Sequence, residues 1–162
     1  MTPELGDIEL RDFEDSDSEL LFEWMSDPVS VRMAAFTAED SDDRERFDRW
    51  LARIRADPAI IYRSIWVSGA PVGMISTFSI DGEREITYWL DRAVWGRGIA
   101  SRAVKPMLEL DATRPMIARA ATANAGSTAV LRRAGFEEVG RNVDFAPGVG
   151  AEVEETIFRL DR

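Results

Sequence analysis

The stretch that most limits what this chain can fold into runs from Glu85 to Leu110. It opens with a β-rich run, Glu85-Ile86-Thr87-Tyr88-Trp89-Leu90, and crosses the turn Ala93-Val94-Trp95-Gly96-Arg97-Gly98-Ile99-Ala100. It then enters a helical run over residues 98–110. Gly96 and Gly98 let the backbone come close to a ligand. A helix starting beside them points unpaired N–H groups and its dipole at that ligand. The stretch therefore reads as a strand, a phosphate cradle and a helix. A glycine pair of this kind also occurs in dinucleotide folds, where an acidic residue follows about twenty residues on. Here Arg119 and Ala120 stand at that distance, after segments that look like antiparallel hairpins. That argues against such a fold and leaves only its NADP variant open.

The flanks supply a scaffold. Ile8 to Phe13 alternates apolar and polar residues, as a half-buried strand does. Asp15 to Ser18 offer N-caps for a short helix carrying Leu20, Leu21, Trp24 and Met25, which stops before Pro28. Pro28 to Asp40 has no periodic face and predicts an irregular segment, in which Met33 and Phe36 form either an acceptor-site wall or packing onto the sheet. Phe47, Trp50, Leu51 and Ile54 recur at helical spacing and predict an amphipathic helix ending near Asp57-Pro58. Ile60 to Val67 and Pro71 to Ile80 read as strands joined at Ser68-Gly69-Ala70, and Asp81-Gly82 is a hairpin signal that sets Glu85 to Leu90 antiparallel to its predecessor. After Pro115, Met116 to Ala121 reads as a strand parallel to Glu85 to Leu90, because a helical crossover joins parallel strands. Asn124-Ala125-Gly126-Ser127 leads into a helix to Ala134. Gly135-Phe136 then turns into two last strands, Glu138 to Phe145 and Glu152 to Leu160.

Composition excludes several chemistries. At 162 residues the chain predicts one domain over 1–162. Absence of cysteine excludes disulfides, thiolate metal sites and a cysteine acyl-enzyme. Absence of histidine removes the commonest general base and metal ligand, and no metal is expected. There is no basic-then-apolar leader and no apolar run near the ~18 residues of a membrane span, so a soluble, cytoplasmic protein without a membrane partner is expected. Net charge is −10, yet residues 92–136 carry eight bases against two acids, +6, leaving −16 elsewhere. A polyanion would want such an island, although individual arginines there can equally be solvated helix faces. The acidic remainder argues against nucleic acid. It suits a cationic amine as readily as plain solubility.

Trp95-Gly96-Arg97-Gly98-Ile99-Ala100, after a Glu-x-x-Tyr-Trp-Leu strand, resembles the pyrophosphate-binding signature of the GNAT superfamily of N-acetyltransferases. Counted from Asn124, Ser127 lies at +3, Leu131 at +7 and Gly135-Phe136 at +11 and +12. That spacing resembles the branch that acetylates N-termini of ribosomal proteins. The resemblance is specific over residues 83–140 and topological before them. It implies an α/β GNAT fold, a mainly antiparallel seven-stranded sheet with one splayed parallel strand pair, flanked by helices. It also implies acetyl-CoA as acyl donor, bound by Arg92, Trp95, Gly96, Arg97, Gly98, Ile99, Ala100, Ser101, Arg102 and Asn124, with the thioester carbonyl on a backbone N–H near Trp89 or Leu90. Many members have Arg or Gln where Trp95 stands. Many also have, where Leu131 stands, a Tyr that protonates the departing thiolate.

Acetyl transfer to an amine needs a neutral nitrogen, a polarised carbonyl and an outlet for the thiolate. An α-amine with pKa near 8 is about 10% neutral at pH 7, a lysine amine below about 0.1%. Glu85 is the candidate base, acting directly or through water, or else a cross-strand partner for Arg63 or Arg84. Ser127 is the candidate acid, or else the helix N-cap. A thiol of pKa near 8.5 leaves largely as thiolate, so a weak acid suffices. The expected function is transfer of acetyl from acetyl-CoA to a primary amine, of a protein N-terminus or a small molecule, in a ternary complex. The alternative is a coenzyme A-binding regulatory module that has lost catalysis. The oligomeric state is left open, a homodimer included.

Overall fold

The computed structural model describes residues 6–38 and 40–162. Strand β1 (Ile8–Asp12) leads through a 3₁₀ turn (Asp15–Asp17) into helices α1 (Ser18–Ser26), α2 (Pro28–Ala34) and α3 (Arg44–Ala56). A meander follows, β2 (Ile61–Val67), β3 (Ala70–Ile80) and β4 (Glu83–Leu90). Then come α4 (Ile99–Leu110), β5 (Met116–Ala121), α5 (Ala125–Arg133), β6 (Glu137–Ala146) and β7 (Ala151–Leu160). The seven strands form one sheet in the order β1-β2-β3-β4-β5-β7-β6, with β4 and β5 parallel and every other pair antiparallel.

The hairpins form as the turn residues require. Asp81 and Gly82 both take positive φ, as do Ser68 and Gly69, matching the twist of the strands they join. One expectation fails: Pro28 to Asp40 is not irregular throughout, because α2 occupies its first half. Its signal is in the ends and not in a periodic face. Asp27 caps it by accepting from Ser30 N, and Pro28 sits where a missing N–H does no harm. Seven residues are too few to show an amphipathic stripe.

The sheet buries both faces, unevenly. On one face α4 and α5 cover a core of Ile65, Ile75, Ile86, Val104, Met107, Met116, Leu131 and Phe158. On the other, α1 and α3 pack Leu21, Trp24, Phe47 and Leu51 against Tyr62 and Met74. A smaller cluster, Ala35, Ala121 and Ala146 with Phe36, Val149 and Val153, joins the end of α2 to β5, β6 and β7. Gly148 lets the β6–β7 hairpin close onto α2. A Cβ there would lie 2.5 Å from Val31 O and 2.8 Å from Ala35 O.

Candidate active site

β4 and β5 pair only at Arg84–Met116 and Glu85–Ile117. Beyond these positions the strands part, and the backbone groups of residues 86–90 on that side lose their ladder partners. A gap at the carboxyl ends of parallel strands is where open α/β sheets bind ligands. α4 begins beside it with Gly98 as N-cap at φ 76, ψ 14, and no side chain caps the helix. Gly96 is also left-handed, at φ 77, and a Cβ on either glycine would meet nothing within 4 Å. Backbone conformation therefore demands glycine here, and the space before it stays open. Ile99 and Ala100 are buried and offer only their backbone, while Ser101 Oγ is buried without a hydrogen-bond partner. These free first-turn groups suit a pyrophosphate.

The basic island is thinner than its sequence. Arg92 forms a two-pronged pair with Asp27, at 2.9 and 3.1 Å, which holds that carboxyl below its ordinary value and ties the loop after β4 to α2. Arg114 donates to Leu108 O and Asp111 O. Arg119 and Arg132 are ion-paired. Among the described residues Arg97, Arg102, Lys105 and Arg133 form no ion pair, and the first three lie in the cradle and the first turns of α4. Trp95 is 37% exposed, its indole donating to Leu90 O at 3.4 Å. The Trp89 ring packs away from the cradle and donates to Trp24 O, so only its backbone faces the gap.

At α5 the cap belongs to Asn124, whose Oδ1 accepts from Ser127 N at 3.1 Å. Ser127 keeps its hydroxyl for another partner, the Tyr88 hydroxyl at 2.7 Å. Burial pushes the Tyr88 phenol above its ordinary value, with the Ser127 hydrogen bond pulling the other way. Leu131 is sealed in the core.

On the opposite face Glu85 is buried and accepts from Arg119 Nε at 3.0 Å, and Arg119 also reaches Glu155 at 3.4 Å. The partner is neither Arg63 nor Arg84. Strand alternation turns Arg84 to the other face, where it binds Asp111 at 2.7 Å, and Arg63 lies 3.4 Å from Asp12. Parity on adjoining parallel strands was the available signal for Arg119. Thr87, next on the Glu85 face, is exposed although β4 is a central strand, so this face is open there. Phe36 packs against the cluster of Ala35, Ala121 and Ala146, whereas Met33 is 41% exposed. A cleft of ≈ 550 Å³ lies between α5 and the β6–β7 hairpin. Two of its arginines, Arg132 and Arg141, are shared with Glu138 and Glu154. Among the described residues no acidic cluster is placed to hold a metal, and no helix is long and apolar enough to cross a membrane.

The acetyltransferase (GNAT) domain family matches residues 7–137. No curated protein matches the chain. A solved probable acetyltransferase is 25% identical, with TM-score 0.74 over 96% of this chain and 93% of that one. A ribosomal-protein-alanine N-acetyltransferase from Brucella melitensis is 22% identical, with TM-score 0.80 over 95% and 99%. Mycobacterium smegmatis RimJ, solved with CoA-disulfide, is 21% identical, with TM-score 0.79 over 96% and 82%. With the splayed strand pair, the glycine-capped helix and a family match over most of its length, the chain belongs to the GNAT family of acetyltransferases.

Proposed function

We propose that the protein moves an acetyl group from acetyl-CoA to a primary amine by direct attack in a ternary complex. The parting of β4 and β5 after Glu85, with an uncapped helix N-terminus at one end and the Tyr88–Ser127 hydroxyls at the other, carries this reading. The donor's pyrophosphate lies on the uncapped first turn of α4 and its pantetheine arm in the gap between β4 and β5. The amine enters from the open face beside Thr87, where Glu85 takes its proton directly or through water. Arg119 orients that carboxylate through one oxygen. No side chain of this sequence supplies a thiol or imidazole for an acyl-enzyme.

The test is calorimetric titration with acetyl-CoA, then thiol release with a panel of α-amino peptides, polyamines and lysine derivatives. Binding with amine-dependent release and an unmodified protein mass after incubation with acetyl-CoA alone is the expected result. Binding without release to any amine would favour a regulatory module, and a covalent acetyl on Ser127 would replace direct attack.

A further inference from the structure

We propose that Tyr88 supplies the proton needed by the departing thiolate and passes it through Ser127, in place of the acid that Leu131 cannot be. Leu131 is an alkane side chain with 1% exposure, built into the core under α4 and α5. Strand alternation sends Tyr88 to that same face, on the portion of β4 that has parted from β5. There its hydroxyl lies 2.7 Å from Ser127 Oγ, across 39 residues of sequence.

Two local facts make this pair a relay and not a mere packing contact. Asn124 caps α5, so the Ser127 hydroxyl has no capping duty. Either hydroxyl can donate across this contact; the relay uses the arrangement in which Tyr88 donates, a phenol being a far stronger acid than an alkyl hydroxyl. Ser127 then accepts from Tyr88 and keeps its own hydrogen free for a third atom. Burial keeps the phenol protonated at neutral pH. Glu85 and Tyr88 project to opposite faces of one strand, so the proton leaving the amine and the proton reaching sulfur travel on separate sides.

The atoms balance. The amine nitrogen bonds to the thioester carbon, the C–S bond breaks and its electron pair stays on sulfur. Sulfur takes the Ser127 hydroxyl proton while Ser127 takes the Tyr88 proton, giving a thiol and a phenolate. Solvent returns one proton to Tyr88, and the proton lost by the amine leaves through Glu85 or water. Tyr88 acts through Ser127, so it positions and feeds the proton donor without touching substrate.

The relay rests on the acetyl-transfer reading, and the experiment separates the two. The chain has two tyrosines, and Tyr62 is buried with a hydroxyl that has no partner, so Tyr62→Phe keeps the fold. In that background, fluorotyrosine incorporation places the more acidic phenol at Tyr88 alone. The alkaline fall of kcat should move to lower pH as fluorination lowers the phenol pKa. Tyr88→Phe should lower kcat about tenfold, below the usual range for an acid because the thiol leaves readily, with unchanged affinity for acetyl-CoA. Added to Ser127→Ala, it should cost nothing further. An alkaline limb unmoved by fluorination, or a Tyr88→Phe loss undiminished in the Ser127→Ala background, overturns the relay and leaves acetyl transfer standing. A wild-type protein that binds acetyl-CoA but releases no thiol with any amine of the panel removes both.

Discussion

Gly98 holds a left-handed backbone at the mouth of α4, a conformation that costs an L-residue about 1–2 kcal/mol. A side chain there also projects into the open space in front of the first-turn N–H groups. Gly98→Val should therefore abolish most acetyl-CoA affinity in a protein that still folds, and unchanged calorimetric binding would reject the cradle. Asn124 and Ser127 sit three residues apart with separate tasks. Asn124→Ala removes the α5 cap and should cost about 1 kcal/mol in denaturant unfolding. Ser127→Ala should leave stability near that of the wild type and lower kcat instead. Equal losses of stability from the two changes would return the cap to Ser127. Glu85→Gln keeps shape but not basicity, so kcat near neutrality should drop roughly 10²-fold or more. The loss should shrink at high pH, where the amine is already neutral. Wild-type rates from about pH 6 to 9 would take the base role from Glu85 and leave it an anchor for Arg119.

α4 is uncapped by any side chain at its N-terminal end and pinned at the other. Arg84 reaches from β4 to Asp111 just past the helix and also donates to Ala59 O and Thr77 Oγ1. Burial alone would raise the Asp111 carboxyl, but hydrogen bonds from Thr77, Arg84 and Thr113 outweigh it and hold the group well below the usual carboxylate range. A value depressed on folding adds stability above the unfolded value of about 4, and that stability drains as pH falls through the folded value. Asp111→Ala leaves a partly buried Arg84 without its carboxylate but with its bonds to Ala59 O and Thr77 Oγ1, and should cost about 2–3 kcal/mol at pH 7. The gap to wild type should narrow as pH drops below about 4, and a constant gap down to about pH 2 would deny the linkage. Elements with a period or a turn signal were legible in sequence: α3 by its stripe, the meander by Asp81-Gly82, α4 by Gly98. α2 was hidden because seven residues show caps but no period. Glu85's partner was misread because adjacent strand residues point to opposite faces, and Arg119 becomes its neighbour only through the β4–β5 pairing. The Tyr88–Ser127 contact has no local signature, since it joins the face of β4 to the start of α5, with α4 and β5 between them in the chain.

Charge acts on the whole molecule, and here the local and global fields oppose each other. A protein of net charge −10 repels a polyphosphate at long range, whereas on the proposed reading Arg97, Arg102 and Lys105, around the first turns of α4, attract it locally. Screening decides between them, because the Debye length is about 10 Å at 0.1 M salt. Acids spread over the rest of the sheet then count for little, and the cations around α4's first turns, unspent on internal ion pairs, dominate. Acetyl-CoA affinity should therefore weaken as salt rises from about 0.1 to 0.5 M. Arg97→Ala or Arg102→Ala should weaken it at low salt and flatten its slope, because each removes one of the screened contacts. Arg92→Ala should act differently, since that side chain is held by Asp27. It should loosen the loop after β4 and lower affinity without changing the slope. The measurement is calorimetric Kd across the salt series for wild type and the three variants. A wild-type Kd independent of salt would make these cations solvated surface only, and one that tightens with salt would show the acidic remainder governing the encounter.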